Sequence, residues 1–189
     1  MSVPEKQLYY SPQEYLALET QAEYKSEYHS GEIFPMVGAS INHNRITVNL
    51  CTILNSGLQD SNHEVFMNDM KVWIPTAQTF FYPDITVIRN LPEFYEDRTD
   101  TILNPCLIIE VLSQSTQNYD KGGKFDAYRS IPSFQEYLLV NQYCFQVEQF
   151  SKQADKQWLF REYDESDVKL QLVTVDLTIN LVDIYKKVI

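Results

Sequence analysis

Apolar residues at Ile46, Leu50, Ile53 and Leu54 recur at i, i+4, i+7 and i+8, which predicts a core-facing helix over 41–58. Ser40 or Asn42 is placed to cap its start, Gly57 lies near its end, and His43 and Arg45 fall in its first turn. An earlier helix begins at Ser11-Pro12-Gln13-Glu14. There the serine caps free N–H groups, the proline suits the first helical position, and the glutamate closes a capping box. This helix is expected to end before Tyr24. A third is predicted over 120–130 and stopped by Pro132, although Gly122 and Gly123 each cost roughly 1 kcal/mol against alanine. The i, i+3, i+4 rule puts Lys121, Lys124 and Tyr128 on one of its faces.

Period-two alternation predicts the strands. Residues 24–38 read as a hairpin turning at His29-Ser30-Gly31, where Gly31 supplies a positive φ. Residues 64–74 read as one strand. Phe66, Met70, Val72 and Ile74 share one of its faces; Val65, Met67, Asp69, Lys71 and Trp73 share the other, with Asp69 and Lys71 read as a surface ion pair. A second strand covers 80–88. Residues 90–105 are polar and acidic and read as a surface loop. Strand 106–112 is apolar on both faces, as a central buried strand is. Strand 135–140 comes next, then alternating segments near 144–151, 157–163 and 168–174, and a short helix over 181–188. The order predicts one domain, 1–189, of α/β or α+β class: a central mixed sheet flanked by helices, with an antiparallel C-terminal meander.

Composition changes this picture little. Hydrophobic residues make up 44% and charged residues 22%, as in ordinary globular proteins. No apolar run approaches the ~20 residues of a membrane span, and the N-terminus shows no secretory pattern, so a cytoplasmic location is expected. Cys51, Cys106 and Cys144 are far apart in apolar settings and read as buried free thiols. His29, His43 and His63 show no zinc-ligand spacing. The net charge of −11 counts against a general polyanion-binding surface, though a local basic groove remains compatible with it.

Two acids stand where aliphatics are expected. Glu110 lies mid-run in Leu107-Ile108-Ile109-Glu110-Val111-Leu112, and Asp84 comes after Pro83 at the mouth of Ile85-Thr86-Val87-Ile88. Burying a carboxylate costs several kcal/mol unless it is paired. If the two strands pair, the acids stand side by side near the ~5 Å strand spacing, and a divalent cation relieves their repulsion. Mg2+ suits such oxygen ligands, and the Val111 carbonyl offers a third. Lys124 would then orient a metal-bound water. Simpler readings stand beside each: a sheet-end carboxylate for Glu110, a turn for Asp84, a solvated helix face for Lys124. His43 either reaches the site or biases the start of its helix.

Pro-Asp followed by Glu-x-Lys defines the PD-(D/E)XK nuclease superfamily, which the chain resembles. Here Glu110-Val111-Leu112 lacks the lysine, and Lys124 fits the known variant in which it migrates to the next helix. More specifically, the chain resembles the Uma family of restriction-endonuclease-like proteins. The resemblance is carried by Ser11-Pro12-Gln13-Glu14-Tyr15-Leu16, Gly31-Glu32-Ile33, Gly38-Ala39-Ser40, His43-Asn44 and Tyr82-Pro83-Asp84. It continues through Ile109-Glu110-Val111-Leu112-Ser113, Ser115-Thr116, Tyr119-Asp120-Lys121-Gly122-Gly123-Lys124-Phe125 with Tyr128-Arg129, and Glu136-Tyr137-Leu138-Leu139-Val140.

The resemblance implies a restriction-endonuclease-like α/β core. In it Asp84, Glu110 and Lys124 are catalytic, Asp84 and Glu110 hold the metal, and Glu32 is an additional N-terminal acid. The expected activity is Mg2+- or Mn2+-dependent hydrolysis of DNA, with a homodimer as the expected assembly. Two other readings stay open: a non-catalytic scaffold of the same fold, favoured by the missing lysine and the acidic charge, and a hydrolase of small phosphate esters.

Overall fold

The computed structural model describes residues 9–114 and 117–188, so the Ser115-Thr116 pair lies outside the described residues. In chain order the elements are α1 (Pro12–Gln21), β1 (Ser26–His29), β2 (Glu32–Pro35), α2 (Ile41–Gly57), β3 (His63–Met67), β4 (Lys71–Ile74), β5 (Thr79–Phe81), β6 (Ile85–Arg89), β7 (Thr101–Ile102) and β8 (Pro105–Leu112). A helical segment succeeds them, made of α3 (Gln117–Tyr119), a π-helical stretch (Asp120–Lys124) and α4 (Phe125–Tyr128). Then come β9 (Glu136–Asn141), β10 (Gln146–Ala154), β11 (Gln157–Asp164), β12 (Lys169–Leu172), β13 (Leu177–Asn180) and α5 (Leu181–Ile184).

Local chemistry sets the predicted boundaries. The Ser11 hydroxyl accepts from the Glu14 amide at 3.2 Å while the Glu14 carboxylate accepts from the Ser11 amide at 2.7 Å, so the capping box forms. Ser40 caps α2 by accepting from the His43 amide at 3.1 Å. The β1–β2 turn needs φ of 48° at Ser30 and 101° at Gly31. A Cβ on Gly31 would also lie 2.7 Å from the Tyr9 ring.

The predicted mixed sheet has six strands in the order β11-β10-β9-β8-β6-β3, with β8 and β9 parallel and the other pairs antiparallel. The C-terminal meander divides: β10 and β11 extend this sheet, while β12 and β13 form a separate ribbon.

A second sheet, β2-β1-β5-β4-β7, was not expected. It arises because two runs that read as single strands are each broken in the middle. The 64–74 run turns after Met67, where Asn68 takes φ of 46°, a conformation asparagine tolerates. The 80–88 run breaks at Tyr82-Pro83-Asp84, where proline has no N–H for the ladder. Each run therefore delivers one strand to each sheet. The 90–105 segment also contributes, since β7 pairs parallel with β4.

The break changes the partners of two charged residues. Asp69 is exposed and pairs with Lys25, whereas Lys71 is buried and bonds Asp100 at 2.8 Å. They do not form the surface pair that one continuous strand would give. Of the cysteines, Cys106 is buried, Cys51 half-buried and Cys144 exposed, so the expectation of three buried thiols fails at Cys144.

On one face of the six-stranded sheet, Ile46, Leu50 and Leu54 of α2 pack on Ile85, Leu107, Ile109 and Val111, with the ribbon and α5 completing the layer. On the other, Ile108, Leu112, Tyr137 and Leu139 meet Tyr128, Ile131 and Phe134. Helix α1 sets Tyr15 and Leu16 against Tyr28, Trp73 and Phe80 of the second sheet. Among the described residues no helix is long and apolar enough to cross a membrane.

Candidate active site

Strands β6 and β8 pair with Ile85 opposite Ile109 and Thr86 opposite Ile108. One step further along the same register, Asp84 stands opposite Glu110. The Asp84 amide donates to Glu110 Oε2 at 3.4 Å, and the Val111 amide donates to Asp84 Oδ2 at 2.7 Å. Alternation along β8 turns Ile109 and Val111 toward α2, and turns Ile108, Glu110 and Leu112 toward the helical segment 117–128. Glu110 is therefore the one acid on a wholly buried strand face, and the helical segment has to supply its partners.

It does so with two groups. Lys124 Nζ lies 3.3 Å from Glu110 Oε1, and Tyr128 Oη donates to the same oxygen at 3.1 Å. The π-helical stretch carries Lys124, and Gly123 permits its packing: a Cβ there would meet the Tyr119 ring at 2.7 Å. Lys121 does not share this face. The wider π turn directs it to Glu148 on β10, where it remains half-exposed.

Three residues complete the cluster. Glu27 on β1 reaches Lys124 at 3.1 Å and Asp120 reaches it at 3.4 Å, so one buried ammonium is shared by three carboxylates. His43, in the first turn of α2, places Nε2 3.2 Å from Asp84 Oδ2. All six charged side chains border one cleft of about 1010 Å³. Glu32 is not among its lining residues. It pairs with His29 across the β1–β2 hairpin, and the acid that this hairpin presents to the cleft is Glu27 instead.

Glu27 and Asp120 escaped the sequence reading as site residues. Glu27 had a signal: it alternates with buried Ser26 and Tyr28, so it faces away from the α1 core. Asp120 lies four residues before Lys124, the spacing of a helical ion pair.

Burial pushes the Glu110 carboxyl well above its ordinary range. Lys124 pulls it back, and Asp120, Asp84 and Glu27 raise it again. Burial works against the Lys124 ammonium, but Glu110, Glu27 and Asp120 outweigh it and keep the lysine charged. For His43, too, burial is outweighed, here by Asp84 and then Asp120, so its pKa is raised above 6.5. A raised histidine pKa stabilises the fold fully below the unfolded value of about 6.5, and that contribution is lost as pH rises through the folded value. In metal-free protein, an NMR titration of His43 is expected to give a pKa above 6.5 that falls in Asp84→Asn. An unchanged pKa in the variant would refute the pairing.

The donor set fits a hard divalent cation. Four carboxylates face one ammonium and one imidazole, leaving an excess of negative charge on oxygen donors. Among the described residues no group of three histidine, cysteine or acidic side chains forms a ready metal cage. Mg2+ does not require one, because it binds through one or two carboxylates and retains waters.

The fold has a solved counterpart. The crystal structure of "a putative nuclease belonging to DUF820" from Anabaena variabilis ATCC 29413 superposes with a TM-score of 0.77 over 95% of this chain and 99% of that one, at 18% identity. Two proteins of Synechocystis sp. (strain ATCC 27184 / PCC 6803 / Kazusa) are similar in sequence. "Uncharacterized protein sll1609" is 48% identical over 149 residues, covering 79% of this chain and 84% of that protein. "Uncharacterized protein slr1290" is 37% identical over 176 residues, covering 93% and 91%. The Uma2 family model, described as "Putative restriction endonuclease", matches residues 12–181, and with that span, which contains every residue of the cluster, the chain belongs to the Uma2 family.

Proposed function

We propose that the chain is a Mg2+- or Mn2+-dependent endonuclease that hydrolyses DNA phosphodiester bonds. The observation that carries this reading is the position of Lys124. The lysine absent beside Glu110 in sequence comes within 3.3 Å of it in space, with Asp84 alongside. Asp84 and Glu110 would hold the cation, which when bound supplies charge neutralisation at the scissile phosphate. Lys124 would orient the attacking water and stabilise charge developing on the phosphoryl oxygens. Tyr128 fixes one Glu110 oxygen, and His43 and the Val111 amide fix Asp84 Oδ2, so the two acids are held in place before substrate arrives.

A second reading, a binding scaffold without catalysis, is favoured by one feature: Lys124 is engaged by three acids at once. Incubation of supercoiled plasmid and of single-stranded DNA with Mg2+ or Mn2+ separates the two. Cleavage of either that appears with the metal and stops with chelator is the expected result. Cleavage indifferent to chelator, or absent from both at every metal concentration, would overturn the proposal. In calorimetry the scaffold would show weak Mn2+ binding that does not depend on Glu110.

A further inference from the structure

The wall of the cleft differs in character from its floor. Beyond the acids, β2 brings Phe34 to the cleft, the chain between β2 and α2 brings Met36 and Val37, and the turn between β9 and β10 brings Tyr143. Phe34 is 47% exposed, Val37 75% and Tyr143 61%, so the molecule leaves large apolar surface open beside its most polar cluster. Isolated exposed apolar residues are ordinary; several lining one concave site mark a binding surface.

This wall is held in place rather than loose. Ser40 donates to Gln142, and Gln142 donates to the Leu112 carbonyl at 2.7 Å, tying the β2–α2 segment to the β9–β10 turn and to the end of β8. Tyr143 is fixed at both ends: its amide donates to Asn141 Oδ1 at 2.8 Å, and its hydroxyl accepts from the Gln114 amide at 3.3 Å. Its ring is thus positioned with its face still open.

The charges leave phosphate contacts weak for either form of DNA. Among the described residues no arginine lines the cleft, and both of its lysines are already ion-paired, Lys25 with Asp69 and Lys124 with three acids. Free basic residues on the phosphates hold duplex and single strand alike, and this cleft offers none, which leaves duplex without its main source of affinity. An unpaired strand gains a different contribution, from bases stacking on aromatic and apolar side chains.

We propose that the cleft takes single-stranded DNA, with an unpaired base against Tyr143 and the Phe34–Val37 wall and the adjoining phosphate at Asp84 and Glu110. This rests on the nuclease reading for the phosphate but not for the base.

The test is fluorescence anisotropy with a labelled oligonucleotide, single-stranded or annealed to its complement, with Ca2+ as the cation. The single strand is expected to bind about ten- to a hundredfold more tightly than the duplex, an advantage lost in Tyr143→Ala and kept in Tyr143→Phe. Val37→Ser, at an open position, is expected to weaken binding without disturbing the fold. Equal affinity for both forms, or Tyr143→Ala binding as wild type does, would overturn the inference. The two proposals fail separately. Plasmid nicking without single-strand preference removes only this one; Tyr143-dependent binding without any metal-dependent nicking removes only the nuclease.

Discussion

Asp84→Ala is expected to abolish metal-dependent nicking, and Lys124→Met to reduce it by about 10²–10³-fold, the usual consequence of removing one charge-stabilising donor. The two losses have different causes and can be separated. Asp84 joins the cation to the strand pair, so its removal should also weaken Mn2+ binding in calorimetry. It leaves the Val111 amide and His43 without their acceptor as well, and Asp84→Asn provides the milder control. Lys124→Met leaves Glu110, Glu27 and Asp120 buried without their shared ammonium, which is expected to lower stability by about 3–5 kcal/mol. Mn2+ should recover part of that loss by replacing the missing positive charge, raising the melting temperature of the variant more than that of wild type. Lys124→Arg keeps the charge and tests whether charge alone suffices. Wild-type nicking by either Asp84→Ala or Lys124→Met would remove these residues from the mechanism.

Glu136→Val is expected to cost about 2–4 kcal/mol, although the residue lies outside the cleft. Glu136 opens β9 and is fully buried. Its carboxylate accepts from the Gln149 side-chain amide, from the Val173 backbone amide at 3.2 Å and from the Thr174 backbone amide at 2.9 Å, which ties the chain after β12 to the central sheet. Valine suits a strand but removes the acceptor; Gln149 keeps its bond to the Gln171 carbonyl, while the part-buried Val173 and Thr174 amides lose theirs, at about 1–3 kcal/mol each. Relief of the buried charge offsets part of this: burial raises the Glu136 carboxyl pKa even against those hydrogen bonds. Glu136→Gln, which retains an acceptor oxygen, should cost less. Urea denaturation gives the comparison, and a loss below about 1 kcal/mol for the valine variant would show that the tether contributes little.

The helices were legible because their signals are local. The Ser11–Glu14 box and the Ile46, Leu50, Leu54 stripe each lie within a few residues and act through the backbone of their own segment. Asp84 and Glu110 were legible for a related reason: an acid in an apolar run contradicts its surroundings, and a partner has to resolve the contradiction. The second sheet was hidden because alternation does not state which sheet a strand joins. Asn68-Asp69 and Tyr82-Pro83 are turn signals, but each sits between apolar residues that keep the period going. Glu27 was hidden for the opposite reason. A glutamate in a short hairpin strand looks ordinary, and only the pairing of β1 with β5 brings it beside Lys124.

The π-helical stretch Asp120–Lys124 also bears on the lengths that relatives can tolerate. An α-helix advances about 100° per residue, and a π turn is the mark of one extra residue absorbed without shifting the downstream helix. Asp120 and Tyr119 lie before that extra residue, Lys124 and Tyr128 at its end or after it. Deletion of a single glycine from Gly122-Gly123 would therefore close the stretch to a regular α-turn, with the segments on either side keeping their orientation. Asp120 and the lysine would then stand three residues apart, a spacing at which a helical ion pair still forms. For this segment the identity of the side chains matters more to the site than the count of residues between them.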